Sequence, residues 1–194
     1  MDMLADYMEI MGIKRSVIKM EAAWQREEYT IDDIYDLPDG KRAELIDGQI
    51  YYLAAPSRMH QKISMFLSGE ISDYIKRNNG LCEVYAAPFA VFLNNDNRNY
   101  FEPDLCVICD PSKLNEKGCC GAPDWIVEIV SQGSRQMDYY RKLFKYREAG
   151  VREYWVVDPD RNIVTVYNFE SDTMVEYPFG EKVPVGIWKG FLIG

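Results

Sequence analysis

The stretch Asp124-Trp125-Ile126-Val127-Glu128-Ile129-Val130-Ser131 decides the fold of this 194-residue chain. Between its polar ends it is apolar at every position but one, which is typical of a β-strand covered on both faces. Residues 137–149 follow with apolar side chains at helical spacing and stop at Gly150, so they predict a helix. A doubly covered strand followed by a helix predicts a layered α/β architecture.

Shorter patterns on either side complete this architecture. Residues 44–53 are predicted to form a hairpin, because their Asp47-Gly48 pair supplies the positive φ angles of a tight turn. Ser57 is placed to cap a helix over residues 58–78. Further strands are predicted over residues 82–93, 104–109, 153–157, 163–169 and 174–177. We therefore expect an α/β (α+β) fold in which helices flank a mixed central β-sheet.

The composition fits one folded domain with a terminal extension. Hydrophobic residues make up 47% and charged residues 27% of the chain, which argues against a disordered protein. The domain is predicted to span residues 29–194 and to start with a helix that Thr30 caps. Residues 1–28 are methionine-rich and weakly amphipathic. We expect a helical arm there, either an accessory helix or an element of a homodimer.

Several features predict a cytoplasmic protein without a membrane partner. No apolar run approaches the roughly 18 to 20 residues needed to cross a bilayer. The N-terminus, Met1-Asp2-Met3-Leu4-Ala5-Asp6, is acidic where a signal peptide would be basic and then apolar. The five cysteines are an odd number and include two adjacent ones. They suit a reducing compartment better than a disulfide framework.

Four of the cysteines are also candidate ligands of a zinc ion. Cys106 and Cys109 lie three residues apart in a predicted strand, so their side chains would point to opposite faces. Cys119 and Cys120 are adjacent, and adjacent cysteines rarely hold one tetrahedral ion together. Ordinary thiols therefore explain these residues better than a zinc site does.

The charge of the chain limits its partners. A net charge of −9 argues against broad electrostatic binding to nucleic acid. Between residues 135 and 153, however, six basic residues stand against three acidic ones. This segment is compatible with a local basic face on an acidic protein.

Glu128 is the residue that indicates a site most directly. A carboxylate in the middle of a covered strand is costly to bury unless it is paired or binds a metal. Asp104 begins the preceding strand, and if the two strands are neighbours their carboxylates converge on one point. Glu44 opens the hairpin and offers a third carboxylate. Oxygen ligands of this kind favour Mg²⁺ or Mn²⁺ over zinc.

A second set of polar residues lies on the predicted helix. Asp138, Lys142 and Tyr146 fall at i, i+4 and i+8, so they share one face. Taken alone, they are better explained as an exposed ion pair beside a packed tyrosine. Together with Asp104 and Glu128, they are interpreted as the group that positions water beside a metal ion.

These motifs resemble the Uma2 family, a branch of the PD-(D/E)XK nuclease superfamily that is grouped with proposed restriction endonucleases. The likeness runs from about Tyr29 to the C-terminus and includes the lone His60. Its motifs are residues 43–48, 102–105 and 124–131, the series Asp138, Lys142 and Tyr146, and residues 149–155. The resemblance implies a restriction-endonuclease-like fold. It also implies a metal-dependent endonuclease that hydrolyses phosphodiester bonds of nucleic acid, with DNA as the expected substrate.

The resemblance assigns metal ligands by position. Asp104 and Glu128 match the two acids that the family uses as ligands, and Glu44 matches the acid of its first motif. As a hypothesis, Asp104, Glu128 and the carbonyl of Ile129 hold Mg²⁺ or Mn²⁺, and Glu44 binds the ion directly or through water.

The remaining roles depend on a departure from the superfamily pattern. Val130 stands where the superfamily lysine is expected, and in this family Lys142 fills that role from the helix. Lys142 is therefore predicted to orient the attacking water and to balance charge. His60 is interpreted as a donor to a phosphate or to the scissile group, with a structural hydrogen bond as the alternative.

Other functions stay open at this point. The same fold can be a catalytically inactive nucleic-acid-binding or regulatory module, which the acidic charge and the missing superfamily lysine favour. A metal-dependent hydrolase of small phosphoesters is a second alternative. A third is a toxin, transposon or defence component whose partner supplies the affinity for DNA.

Overall fold

The described part of the chain, residues 28–94, 96–131 and 133–194 of a computed structural model, begins with a short helix, a hairpin and a long helix. These are helix α1 (Ile31–Tyr35), strands β1 (Ala43–Ile46) and β2 (Gln49–Tyr52), and helix α2 (Arg58–Arg77). Ser57 caps α2 by accepting a hydrogen bond from the backbone N–H of His60 at 3.1 Å, as predicted. The expected N-terminal arm lies outside the described residues, apart from Glu28.

Six strands follow before the second helical segment. They are β3 (Glu83–Ala86), β4 (Val91–Phe92), β5 (Leu105–Ile108), β6 (Leu114–Asn115), β7 (Gly118–Cys120) and β8 (Trp125–Ile129), with a 3₁₀ turn at Pro111–Lys113. The single strand expected over residues 82–93 is therefore two strands. Pro88 lies between them and has no N–H to continue a strand ladder. β4 leaves the central sheet and joins β6 and β7 in a small three-stranded sheet.

The second helical segment and five strands complete the domain. A π-helical turn (Met137–Lys142) continues directly into helix α3 (Leu143–Ala149), which ends at Gly150 with a left-handed φ of 92°. The strands are β9 (Glu153–Asp158), β10 (Ile163–Asn168), β11 (Thr173–Pro178), β12 (Val183–Pro184) and β13 (Leu192–Ile193). Strands β12 and β13 pair with each other near the C-terminus.

The central sheet has six strands in the order β11-β10-β9-β8-β5-β3. Strands β8 and β9 are parallel, and the other neighbouring pairs are antiparallel, which confirms the mixed sheet. β5 and β8 are direct neighbours, with Leu105 opposite Val127. The condition under which Asp104 and Glu128 converge is therefore met.

Strand β8 is buried on both faces, and its alternation decides where Glu128 points. Trp125, Val127 and Ile129 belong to the core on the α2 side, and Ile126 belongs to the core that includes Tyr146 of α3. Because successive side chains of a strand point to opposite faces, Glu128 lies on the same side as Ile126. The carboxylate therefore faces the second helical segment.

The cysteines differ in part from the expectation of free thiols. Cys82 and Cys109 form a disulfide, while Cys106 and Cys119 are buried thiols. The antiparallel pairing of β3 with β5 brings the two bonded residues together across 27 positions, which spacing in the sequence could not show. Cys106 and Cys109 contact opposite cores, as predicted. Within the described ranges, no helix combines the length and apolar character needed to cross a bilayer.

Candidate active site

Glu128 is the centre of a buried polar cluster. It lies on an interior strand of the central sheet and is only 3% exposed, although it is a carboxylate. Its Oε1 accepts hydrogen bonds from Nζ of Lys142 at 2.9 Å and from Oη of Tyr146 at 2.7 Å. The strand carboxylate and the helix residues that were predicted separately therefore form one group.

Lys142 is surrounded by carboxylate oxygens and has a side chain that is 5% exposed. Besides Glu128, its Nζ lies 2.9 Å from Oε1 and 2.8 Å from Oε2 of Glu44, and 3.7 Å from Oδ1 of Asp138. The alternative of an exposed ion pair on the helix is therefore wrong, since Asp138 is also buried. Lys142 ends the π-helical turn, a local geometry that recurs at functional sites.

Asp104 lies directly before β5 and contacts β8. Its Oδ2 accepts a hydrogen bond from the backbone N–H of Ile129 at 2.7 Å, and its own N–H lies 3.4 Å from Oε2 of Glu128. In an extended strand the N–H and C=O of one residue point to the same side. The carbonyl of Ile129 therefore points towards the strand edge that holds Asp104, where the ligand hypothesis requires it.

His60 reaches this point from the first turn of α2. Its Nε2 lies 3.0 Å from Oδ2 of Asp104, where an Nε2–H would donate to the carboxylate. The structural hydrogen bond that was considered as an alternative is therefore present. Nδ1 of His60 is buried and has no hydrogen-bond partner among the described residues. Donation from His60 to a phosphate stays a prediction.

Glu44 is oriented mainly towards the lysine. Oε1 accepts a further hydrogen bond from the backbone N–H of Glu102 at 3.0 Å, and both oxygens contact Lys142. Strand β1 buries Glu44 to 1% exposure, so the side chain has little contact with water. Its assignment as a metal ligand stays a prediction.

Burial and charge shift the proton equilibria of the cluster. Burial raises the pKa of Glu128 well above its usual range, and attraction to Lys142 opposes this shift. Burial likewise raises the pKa of Asp138, to about 6. Burial alone would lower the pKa of Lys142, but Glu128, Glu44 and Asp138 raise it well above its usual value, which keeps the side chain an ammonium. The cluster thus contains more carboxyl groups than one lysine neutralises.

The donor set fits a small divalent cation with few protein ligands. Among the described residues, no group of three or more His, Cys, Asp or Glu side chains is arranged to hold a metal ion. Mg²⁺, however, is commonly bound through one or two carboxylates and keeps several waters. Asp104 and Glu128 with the carbonyl of Ile129 provide such a set, and the side chain of Asp104 is 19% exposed.

The basic face that the charge count allowed is not formed. Folding brings carboxylates from other segments to four of the six cations between residues 135 and 153. These ion pairs are Arg135–Asp158, Lys145–Asp47, Arg147–Asp172 and Arg152–Asp124, with distances of 2.6 to 3.1 Å. Lys142 is buried in the cluster, and Arg141 lies over the ring of Tyr51 at 5.5 Å. The segment is therefore largely neutralised.

Sequence reasoning missed a residue that supports the cluster. A hydrogen bond from Ser134 opposes the upward shift in the pKa of Asp138, and the carbonyl of Ser134 accepts from the backbone N–H of Asp138 at 2.9 Å. The signal was available, because Ser134 stands one helical turn before Asp138.

Comparisons with known proteins agree with the fold. Residues 27–186 match the model of the Uma2 family, which is described as "Putative restriction endonuclease". The chain is 26% identical to an uncharacterized protein of Synechocystis sp. over 133 residues, 68% of each protein. A crystal structure described as a "putative nuclease belonging to DUF820" from Anabaena variabilis shares the fold with a TM-score of 0.66. It is 23% identical and covers 81% of this chain and 89% of that one. Because the family match spans most of its length, the chain belongs to the Uma2 family.

Proposed function

We propose that the protein is a metal-dependent endonuclease that hydrolyses phosphodiester bonds of nucleic acid, with DNA as the first substrate to test. The family description and the fold of the solved relative both support a nuclease-type function. The observation that carries the proposal is the convergence of Glu44, Asp104 and Glu128 from three strand segments beside one buried lysine.

Each residue of the cluster has a role in this proposal. Asp104, Glu128 and the Ile129 carbonyl would hold Mg²⁺ or Mn²⁺, with Glu44 directly or through water. Such an ion supplies Lewis acidity to the phosphoryl oxygen and to the attacking water.

The second helical segment acts on the attacking water. Lys142 would orient that water and offset the negative charge that develops on the phosphoryl group. Asp138 holds the ammonium from one turn earlier, and Tyr146 fixes the rotamer of Glu128 through its 2.7 Å hydrogen bond. His60 either fixes Asp104 with its Nε2–H or, in the other tautomer, would donate from Nδ1–H to the phosphate. In-line attack of the water then breaks the bond between phosphorus and the leaving oxygen, which takes up a proton.

The direct test is cleavage of supercoiled plasmid, single-stranded DNA and RNA with Mg²⁺ or Mn²⁺. We expect the wild type to cleave at least one of these substrates and Asp104→Ala to be inactive while keeping its fold. Asp110→Ala is the matched control, because Asp110 follows the far end of β5 and is exposed. Cleavage by Asp104→Ala at the wild-type rate would exclude this assignment.

The neutralised charge between residues 135 and 153 provides little electrostatic attraction for a polynucleotide, so the same assay includes two other functions. A hydrolase of small phosphoesters would leave the polynucleotides intact and hydrolyse bis(p-nitrophenyl) phosphate. An inactive nucleic-acid-binding or regulatory module would bind metal or nucleic acid and hydrolyse neither. If a partner protein supplies affinity for DNA, cleavage requires that partner.

A further inference from the structure

The ammonium of Lys142 contacts one of the two carboxylate oxygens of Glu128, a residue proposed to bind the metal ion. Its Nζ lies 2.9 Å from Oε1 of Glu128, and Oη of Tyr146 binds the same oxygen. Oε2 of Glu128 has a 3.4 Å contact with the backbone N–H of Asp104. A cation that binds Glu128 must therefore share this carboxylate with a positive charge that is already there.

A cation near Lys142 would be repelled, because the site is buried and weakly screened by water. Lys142 does not need to leave the cluster to relieve this repulsion. Three other carboxylate oxygens lie within 4 Å of Nζ, namely Oε1 and Oε2 of Glu44 and Oδ1 of Asp138. The backbone N–H of Glu102 holds Glu44 in place independently of the lysine.

We propose that Lys142 and the divalent cation compete for Glu128, and that Glu44 and Asp138 retain the lysine when Glu128 turns to the metal. This inference rests on the proposed function insofar as that function places a metal ion at Asp104 and Glu128. Lys142 then lowers the metal affinity of the free protein. In this arrangement Glu44 acts on metal affinity through the lysine, in place of the direct or water-mediated ligand role considered above.

Glu44 acting through Lys142 and Glu44 acting as a ligand predict different effects of mutation. If Glu44 acts through Lys142, removing its charge matters only while the lysine is present. If Glu44 binds the ion, removing its charge weakens binding in either background. A double-mutant cycle over these two residues separates the two cases, because it measures whether their effects are independent.

The experiment is calorimetric titration of Mn²⁺ alone into the wild type, Lys142→Met, Glu44→Gln and the double variant. Lys145→Met is the matched control, since it removes the same charge three residues further along, where Lys145 pairs with Asp47 and Glu148 and not with Glu128. We expect Lys142→Met to bind Mn²⁺ about tenfold more tightly than the wild type, a free-energy change of about 1.4 kcal/mol. Glu44→Gln should weaken binding several-fold in the wild type and leave it unchanged in Lys142→Met.

Two results would overturn the proposal. Equal or weaker Mn²⁺ binding by Lys142→Met would show that the lysine does not compete. A loss caused by Glu44→Gln that is the same in both backgrounds would make Glu44 a ligand. If Lys142→Met alone does not fold by circular dichroism, the double variant, which removes one charge of each sign, is compared with Glu44→Gln. It must then bind Mn²⁺ more tightly.

The outcome is separable from that of the nuclease proposal. Cleavage of DNA by the wild type together with unchanged Mn²⁺ affinity in Lys142→Met would retain the nuclease and reject the competition. Tighter Mn²⁺ binding by Lys142→Met with no hydrolysis of any substrate by the wild type would retain the competition and reject the nuclease.

Discussion

Two neighbouring strands each bury a glutamate, and the two glutamates have different surroundings. Glu128 of β8 lies on one face of the sheet with Lys142 and further carboxyl groups. Glu153 of β9 is 0% exposed, yet its partners are uncharged. Its Oε1 accepts from Nε1 of Trp155 at 2.6 Å, and its Oε2 accepts from the backbone N–H of Ile187 at 2.8 Å.

The difference shows that burial alone does not identify a catalytic carboxylate. Burial raises the pKa of both groups, but backbone and indole N–H donors oppose the shift at Glu153. Together the two donors occupy both oxygens, and the one from Ile187 ties the C-terminal segment to the sheet. At Glu128, nearby carboxyl groups raise the pKa further. Such clusters of carboxyl groups with shifted pKa values are common at catalytic and cation-binding sites.

The largest expected effect is on hydrolysis. Glu128→Gln keeps the size of the side chain but removes the charge, so we expect a rate at least about 10²-fold to 10³-fold lower. Glu153→Gln, corrected for its folded fraction, should hydrolyse within about twofold of the wild type, because Glu153 contacts Trp155 and Ile187 and not the cluster. A twofold difference in rate corresponds to about 0.4 kcal/mol in activation free energy. Initial rates on whichever substrate the wild type cleaves decide this. Equal losses in both variants would mean that the two glutamates cannot be separated by function.

The next effect is on stability, and here Glu153 is the residue expected to matter. Glu153→Ala removes the acceptor of the buried indole N–H of Trp155 and of the half-buried backbone N–H of Ile187, and we expect the free energy of unfolding to fall by about 3 kcal/mol. Urea unfolding followed by tryptophan fluorescence measures this loss. Glu181→Ala is the control, because Glu181 is exposed. A loss at Glu153 no larger than at Glu181 would show that the buried hydrogen bonds contribute little.

The pH dependence of stability sharpens the contrast. Burial raises the pKa of Asp138 from 3.8 to about 6, so between these values the folded state binds more protons than the unfolded state. The free energy of unfolding therefore falls as the pH rises through this window. Asp138→Asn should remove up to about 3 kcal/mol of this fall. Urea unfolding at several pH values tests it, and an unchanged slope in the variant would contradict the assignment.

The smallest expected effect concerns a neutral member of the cluster. Tyr146→Phe loses the hydrogen bond to Glu128 and keeps the ring packing against Phe101 and Tyr154. We expect the free energy of unfolding to fall by about 1 kcal/mol. Thermal unfolding measures it beside Tyr154→Phe, which loses a hydrogen bond to the backbone carbonyl of Asp138. A loss of unfolding free energy larger than that of Glu153→Ala would show that the hydrogen bond of Tyr146 contributes more to stability than those of Glu153.

Much of the fold could be predicted from local pattern. The apolar run around Glu128, the Asp47-Gly48 turn and the Ser57 cap each predicted an element that the structure contains. The split of residues 82–93 and the Cys82–Cys109 disulfide were not predicted. Both depend on which strands pair, and pairing is decided between segments distant in the sequence.

The sequence by itself determined the residue types of the candidate site, namely the carboxylates of Asp104 and Glu128 and the helical spacing of Asp138, Lys142 and Tyr146. Only the tertiary structure decided that Lys142 lies between Glu44 and Glu128, 98 and 14 positions away. It also decided that four of the five cations around Lys142 are paired with carboxylates. The physical reason is that charge acts over a few ångströms in space, whereas a sequence records only order along the chain.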